Sequence, residues 1–265
     1  MSGRTRKPLK IASWNVNSLR VRLPQVLDWL KQTQADLVAL QETKLQDENF
    51  PHDEFAAAGY DSQANGQKTY NGVALLARRP LKLEKVERDL PGFDDPQRRL
   101  IAASCGSIRL INVYVPNGAE VGSDKFQYKL DWLEALHDYL KDQLTQQPNV
   151  LVLGDFNIAP EDRDVHDPEL WSGSVLVSEP ERKKFRALLK LGFKDSFRLF
   201  EQADALYSWW DYRAAAFRRN HGLRIDHILV SDALAESVTR ASIDKTPRQL
   251  DRPSDHAPVI ASLEL

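Results

Sequence analysis

Val150-Leu151-Val152-Leu153-Gly154-Asp155-Phe156-Asn157 is a run of four apolar residues that stops at a glycine, a carboxylate and a carboxamide. Successive rather than alternating apolar positions read as a strand covered on both faces, because a strand with one wet face alternates. A rigid strand that ends in Asp155 and Asn157 delivers two polar side chains into a cleft, and carboxylate plus amide suits metal-assisted hydrolysis. The same pattern recurs where Ser254-Asp255-His256 precedes Val259-Ile260-Ala261, and where Asn15 and Asn17 follow Ile11-Ala12-Ser13-Trp14. Three strand ends carrying Asp, Asn and His argue for one shared site.

β-branched content and bounding turn residues place further strands over 9–14, 37–40, 73–77, 100–105, 108–115, 225–230 and 259–263. Helical spacing of apolar residues predicts helices over 25–34, with Pro24 at the first turn, over 125–144 and over 181–191. A hairpin joins 100–105 to 108–115 across Gly106-Ser107. Strand-helix-strand units mixed with hairpins favour an α/β (α+β) fold of two packed sheets flanked by helices over one doubly wound parallel sheet. The stretches 59–72, 88–98, 116–124, 157–178 and 207–224 read as irregular, and loops of that length in a compact domain are usually functional.

The even spread of apolar runs predicts a single domain over 9–265, preceded by a basic arm at 1–8 that serves as a solubilising tail or touches nucleic acid. With 42% hydrophobic and 28% charged residues the chain is not mainly disordered, and no apolar run is long enough to span a membrane. Cys105 is the one cysteine, which excludes an internal disulfide framework and a Cys-rich zinc site. Core packing is its expected role, and a reducing, cytoplasmic setting follows. A net charge of -2 looks adverse for a phosphate partner, yet acidic metal ligands lower the formal charge and a bound cation reverses it locally. Basic pairs such as Arg78/Arg79 and Arg98/Arg99 are a nucleic-acid footprint only if they share a face.

Glu42 in Gln41-Glu42-Thr43 is another carboxylate at a strand end, and oxygen-rich surroundings without thiols suggest a hard cation, Mg2+ or Mn2+. Taken singly, Glu42 reads as an exposed loop residue; its company changes that. Asp226 begins a strand and could orient His256, as a carboxylate does for an imidazole in a hydrolase triad. Tyr114 and Asn117 offer a phenol and an amide to phosphate oxygens, with strand packing the alternative for Tyr114. Tyr207-Ser208-Trp209-Trp210-Asp211-Tyr212-Arg213 interleaves aromatics with arginine, as stacking on bases and backbone neutralisation require; aromatic plugs over the core are the competing reading.

Taken in order, Ser13-Trp14-Asn15-Val16-Asn17, Leu40-Gln41-Glu42-Thr43-Lys44, Asn112-Val113-Tyr114-Val115-Pro116-Asn117-Gly118, Gly154-Asp155-Phe156-Asn157, Trp209-Trp210-Asp211-Tyr212-Arg213, Leu223-Arg224-Ile225-Asp226 and Ser254-Asp255-His256 resemble the exonuclease III-type abasic endonucleases of the endonuclease/exonuclease/phosphatase superfamily. The resemblance implies a four-layer αββα sandwich and a monomer acting on double-stranded DNA with abasic sites or blocked 3' ends. It implies a divalent metal near Glu42, with Asn15, Asn17 and Asp255 in or near its shell and Asp155 and Asn157 adjoining it. Asp155 would activate water or protonate the leaving oxygen, Asn157 would orient that group, and Asp226 would fix His256 beside the scissile phosphate. Tyr114 and Asn117 would bind phosphate, Trp209 would line the sugar pocket, and Arg213 would contact substrate. His166 stands where some relatives carry a small residue, so it either narrows the pocket and favours 3'-end trimming or points to solvent. A lipid or inositol phosphatase of the same superfamily, and a binding protein with a degenerate site, are the rival readings.

Overall fold

A computed structural model describes residues 8–265; the basic arm expected at 1–8 falls, apart from Pro8, outside the described residues. In chain order the first half comprises β1 (Leu9–Asn15), α1 (Leu19–Thr33), β2 (Leu37–Gln41), α2 (His52–Ala57), β3 (Tyr60–Asn65), β4 (Val73–Arg78), β5 (Glu84–Glu87), β6 (Leu100–Cys105) and β7 (Ile108–Tyr114). The second half comprises α3 (Asp124–Gln146), β8 (Val150–Asp155), α4 (Pro168–Trp171), α5 (Glu179–Lys190), β9 (Phe193–Asp195), α6 (Ala216–Arg219), β10 (Asp226–Ser231), α7 (Asp232–Ala235), β11 (Val238–Ile243) and β12 (Val259–Leu263).

The strands form two six-stranded mixed sheets, ordered β11-β12-β1-β2-β4-β3 and β5-β6-β7-β8-β10-β9. Apolar residues at odd and even positions of one strand face different layers, which is why the runs do not alternate. Leu151 and Leu153 meet Ile11, Ala39 and Leu75 of the opposite sheet, while Val150 and Val152 pack on Trp132, Leu136 and Phe185 of α3 and α5. On the far side Val26, Trp29 and Leu30 of α1 cover Ala12, Trp14, Val38 and Leu40. The result is the four-layer sandwich of helix, sheet, sheet and helix.

Four strands, β3, β5, β9 and β11, escape the sequence reading, and they are the four sheet edges. β5 and β9 are short, and β3 and β11 mix buried with partly or fully exposed positions, so none carries the continuous apolar signal. β3 occupies part of the stretch read as irregular at 59–72. α1 also departs from expectation: it starts at Leu19, and Pro24 lies inside it. The fully buried Leu19 and the bonds from Ser18 N to Glu42 O (2.8 Å) and Leu19 N to Thr43 O (3.0 Å) dock the helix start, outweighing the one internal helical bond that proline gives up.

Register brings the functional ends together. β1 runs parallel to β2, pairing Asn15 with Gln41, and β7 runs parallel to β8, pairing Tyr114 with Asp155. β10 is antiparallel to β8 with Asp226 opposite Asp155, and β12 is antiparallel to β1 with Val259 opposite Ser13, so the segment before β12 reaches the same edge. Gly154 permits the tight approach of β7 to β8: a Cβ there would lie 1.9 Å from Val113 O. Gly154→Ala is expected to lower unfolding free energy by about 2 kcal/mol or more, read as a drop in the urea midpoint; an unchanged midpoint would show that the β7–β8 spacing yields without cost.

Candidate active site

Asn15 ends β1 with its side chain buried between the sheets, and its Nδ2 donates to Glu42 Oε1 and to Asp155 Oδ2, both at 2.9 Å. One amide therefore holds two carboxylates from different sheets within reach of each other. Asn15 Oδ1 accepts from Asn17 N at 2.9 Å, and the tight turn that follows has left-handed Asn17 (φ 43°). Glu42 is also left-handed (φ 50°), which lifts its side chain off the end of β2. Lys44 Nζ stands 2.9 Å from Glu42 Oε2 and donates to Asn17 Oδ1 at 2.6 Å.

Asp155 is 1% exposed. Its Oδ1 caps Asn157 N at 2.9 Å, and its Oδ2 lies 3.8 Å from His256 Nε2. Burial, with the nearby Asp226 carboxylate, pushes Asp155 up to about 7 despite the lowering influence of His256. Burial works to lower His256, but Asp226, whose Oδ2 is 2.9 Å from Nδ1, and then Asp155 outweigh it and raise the imidazole to about 10. The ring is held between two carboxylates, which favour its protonated form. Asp226 Oδ2 also accepts from Ser208 Oγ at 2.6 Å, and Trp14 Nε1 donates to His256 O at 3.2 Å.

Asp255 lies beside this group: its oxygens accept from Asn17 Nδ2 and Trp209 Nε1, each at 2.9 Å. Burial opposes its ionisation, but His256 and those two donors prevail and hold it below the usual carboxylate range. Tyr114 projects under the Arg99 guanidinium, 4.7 Å from the ring centre. Burial, then the Glu42 and Asp155 carboxylates, push its hydroxyl well above the ordinary value, so it remains a donor. Asn117 Nδ2 donates to Asn157 Oδ1 at 3.2 Å, and Asn157 Nδ2 to Val115 O at 3.0 Å.

His166 stacks on His221 with centroids 4.8 Å apart and planes 11° from parallel. Trp171 meets it edge-on and also meets Trp209, so His166, Trp171 and Trp209 form one aromatic wall leading to Asp255. Arg213 is not drawn into this constellation: its side chain is 88% exposed and pairs with Asp211. Lys44, Ser208 and Trp14 are site residues that the sequence reading passed over. Lys44 and Trp14 lay inside the quoted motifs, whereas nothing local distinguishes Ser208 from any loop serine.

Ligand atoms of Glu42, Asp155 and His256 all lie within 4.8 Å of one another. Two carboxylates facing one space, with Asn15 pinning both, match a hard divalent cation, and the burial that penalises a charge on Asp155 is a cost a cation would offset. Residues 12–256 match the Endonuclease/Exonuclease/phosphatase family. The chain belongs to that family, in its exonuclease III-type branch. It is 36% identical to "Exodeoxyribonuclease III" of Haemophilus influenzae, over 97% of this chain and all of that one. Among solved structures it resembles the 3' phosphatase NExo from Neisseria bound to product DNA hairpin, with TM-score 0.95, 46% identity and coverage of 97% and 100%. An AP endonuclease from Archaeoglobus fulgidus gives TM-score 0.92 and 38% identity at the same coverage. No helix among the described residues is long and apolar enough to cross a membrane.

Beneath the site a buried ionic cluster anchors the loops that carry it. Arg224 bonds Asp164 Oδ1 at 2.7 Å and Asp195 Oδ2 at 2.8 Å, and its Nη1 is 3.0 Å from His227 Nδ1. His227 Nε2 lies 2.9 Å from Ile158 O, so the neutral ring with its proton on Nε2 satisfies both contacts. Burial and then Arg224 depress His227 to about 4 from an ordinary 6.5. The unfolded chain takes up this proton as pH falls through 6.5 while the folded chain refuses it until about 4. Stability present above pH 6.5 is thus lost between 6.5 and 4, on the order of 3 kcal/mol. Urea unfolding at pH 7 and pH 4.5 should show that His227→Gln loses less stability over this window than the parent; equal losses would refute the assignment.

Proposed function

We propose that this protein is a divalent-metal-dependent DNA repair nuclease that hydrolyses phosphodiesters in duplex DNA and leaves 3'-hydroxyl ends. Its substrates are abasic sites and blocked or recessed 3' ends. The observation that carries the reading is the convergence of Glu42, Asp155 and His256 from three separate segments within 4.8 Å, clamped by Asn15. The exodeoxyribonuclease and AP endonuclease relatives, and a neighbour bound to a DNA hairpin, support DNA over lipid or inositol phosphate as substrate.

A phosphodiester repels hydroxide and has a poor alkoxide leaving group, and the residues address both problems. Glu42, with Asp155 adjoining it, would hold Mg2+ or Mn2+, with Asn15, Asn17 and Asp255 in or near the shell. The cation supplies Lewis-acid charge for phosphate oxygens. Asp155, whose Oδ2 lies 3.8 Å from His256 Nε2, is placed to exchange a proton with water or with the leaving oxygen. His256, kept cationic and aimed by Asp226 and Ser208, adds positive charge where the pentacoordinate phosphorane becomes more anionic. Tyr114, Asn117 and Asn157 present neutral donors to the same oxygens. Trp209, bonded to Asp255, would face the deoxyribose, with His166 further along the same wall.

The relatives include exodeoxyribonucleases and an AP endonuclease, so end trimming and abasic incision both belong to the proposal, and specialisation through His166 is not favoured over it. Three labelled duplexes, with an internal abasic site, a blocked 3' end and a recessed 3' end, test it directly. Cleavage is expected with Mg2+ and not with chelator; cleavage that survives the chelator would refute the metal-dependent mechanism. In the same assay Asp155→Asn should lower kcat about 10²- to 10⁴-fold, the usual worth of a proton-transfer group, with KM little changed. His166→Gly reads the pocket: faster abasic incision would mean that the imidazole restricts the flipped sugar, and unchanged incision would remove that role.

A further inference from the structure

Lys129 and Glu181 are each 0% exposed. An ion pair so buried carries a large desolvation penalty, and apolar residues of similar volume often stabilise a fold as well or better. Lys129 sits on the face of α3 that otherwise packs with Trp132, Leu133 and Leu136 into the core, where helical periodicity calls for an apolar side chain. Its ammonium is fully used: Nζ donates to Asn117 O at 3.0 Å, to Asn157 O at 2.7 Å, and to Glu181 Oε1. Glu181 is occupied in turn by Leu176 N at 3.0 Å, Ser178 N at 3.1 Å and Ser178 Oγ at 2.5 Å. One pair therefore joins the loop after β7, the corner after β8 and the start of α5.

The two carbonyls that Lys129 grips belong to the two asparagines whose amides face each other at 3.2 Å and are assigned above to phosphate. Asn157 is left-handed (φ 50°), a conformation that asparagine tolerates without enforcing. Neighbouring Gly118 is pressed against the lysine stem: a Cβ on it would lie 3.1 Å from Lys129 Cδ. An apolar residue at 129 could fill the space, but it could not bond both carbonyls at once.

We infer that Lys129, anchored by Glu181, is a positioning residue for hydrolysis, fixing the backbone from which Asn117 and Asn157 project their amides toward the phosphate. The inference rests on the nuclease reading above. Its test compares Lys129→Met, Glu181→Gln and the double variant on the abasic and recessed duplexes with Mg2+, with Tm and backbone hydrogen exchange measured alongside. Folded variants should lose kcat about 10- to 100-fold, the scale set by small misplacements of reacting groups, with KM little changed. Amides of Val115, Asn117, Gly118 and Ala119 and of Asn157, Ile158 and Ala159 should exchange faster. In an Asn157→Ala background the Lys129→Met substitution should add little, since both act through the same group. Glu181→Gln keeps one acceptor oxygen, enough for Lys129 Nζ and Leu176 N but not for Ser178 N as well, so it weakens the pair without removing the lysine and decides the matter if Lys129→Met does not fold. Parental kcat in a folded variant whose loops exchange faster, strictly additive effects with Asn157→Ala, or a kcat loss matched by the unfolded fraction would each overturn the inference. An inactive parent protein would instead overturn the nuclease reading, and the exchange data would still report whether the pair holds the loops.

Discussion

Two independent sheets must present their ends at one point to within a fraction of an ångström, and buried amide hydrogen bonds between the layers impose that constraint. Asn15 of one sheet bonds Asp155 of the other. Deeper in, Asn112 of β7 donates to Leu40 O and Ala74 O of the facing sheet, while Gln41 Nε2 donates to Asn112 Oδ1 and Ser13 Oγ. Apolar contacts between sheets are non-directional and allow sliding; amides set in an apolar layer do not, because a slip leaves them unpaired at a cost of about 1–3 kcal/mol each. The site inherits its precision from this layer.

Electrostatics follow from the same geometry. Gathering the partly exposed Glu42 and the buried Asp155 and Asp226 around one imidazole concentrates negative charge, and the protein answers it in different ways. Asp226 is balanced by His256 and Ser208, Asp255 by Trp209 and Asn17, and Glu42 by Lys44. Asp155 is instead pushed upward by its burial. Asp155 is thus pushed up while Asp255 is held down, the separation that a hydrolase needs between proton-moving and charge-holding groups.

The layered fold and most of the site were legible because central strands announce themselves twice, through continuous apolar runs and through the polar residues at their ends. Asp155, His256, Glu42 and Asn15 could be named for that reason. The edges were not legible: β3, β5, β9 and β11 carry mixed polarity, and pairing with one neighbour rather than two leaves no strong pattern. Partnerships across distant segments were also invisible. Ser208 matters through Asp226, and Lys129 through carbonyls 12 and 28 positions away, separations that no local window can see. Arg213 stands apart from the cluster, an exposed arginine beside aromatics that pairs with the adjacent Asp211.

The edge strands have another significance. A sheet margin exposes unpaired N–H and C=O groups that can template the strand of another molecule, and long, flat, apolar margins are prone to aggregation. Here every margin is poor bait. β5 is Glu-Lys-Val-Glu and largely exposed, β9 is three residues long, β3 carries Asp61 and Gln63, and β11 is broken by a register shift and carries Arg240. Copies of this chain that meet edge to edge therefore find margins that resist joining.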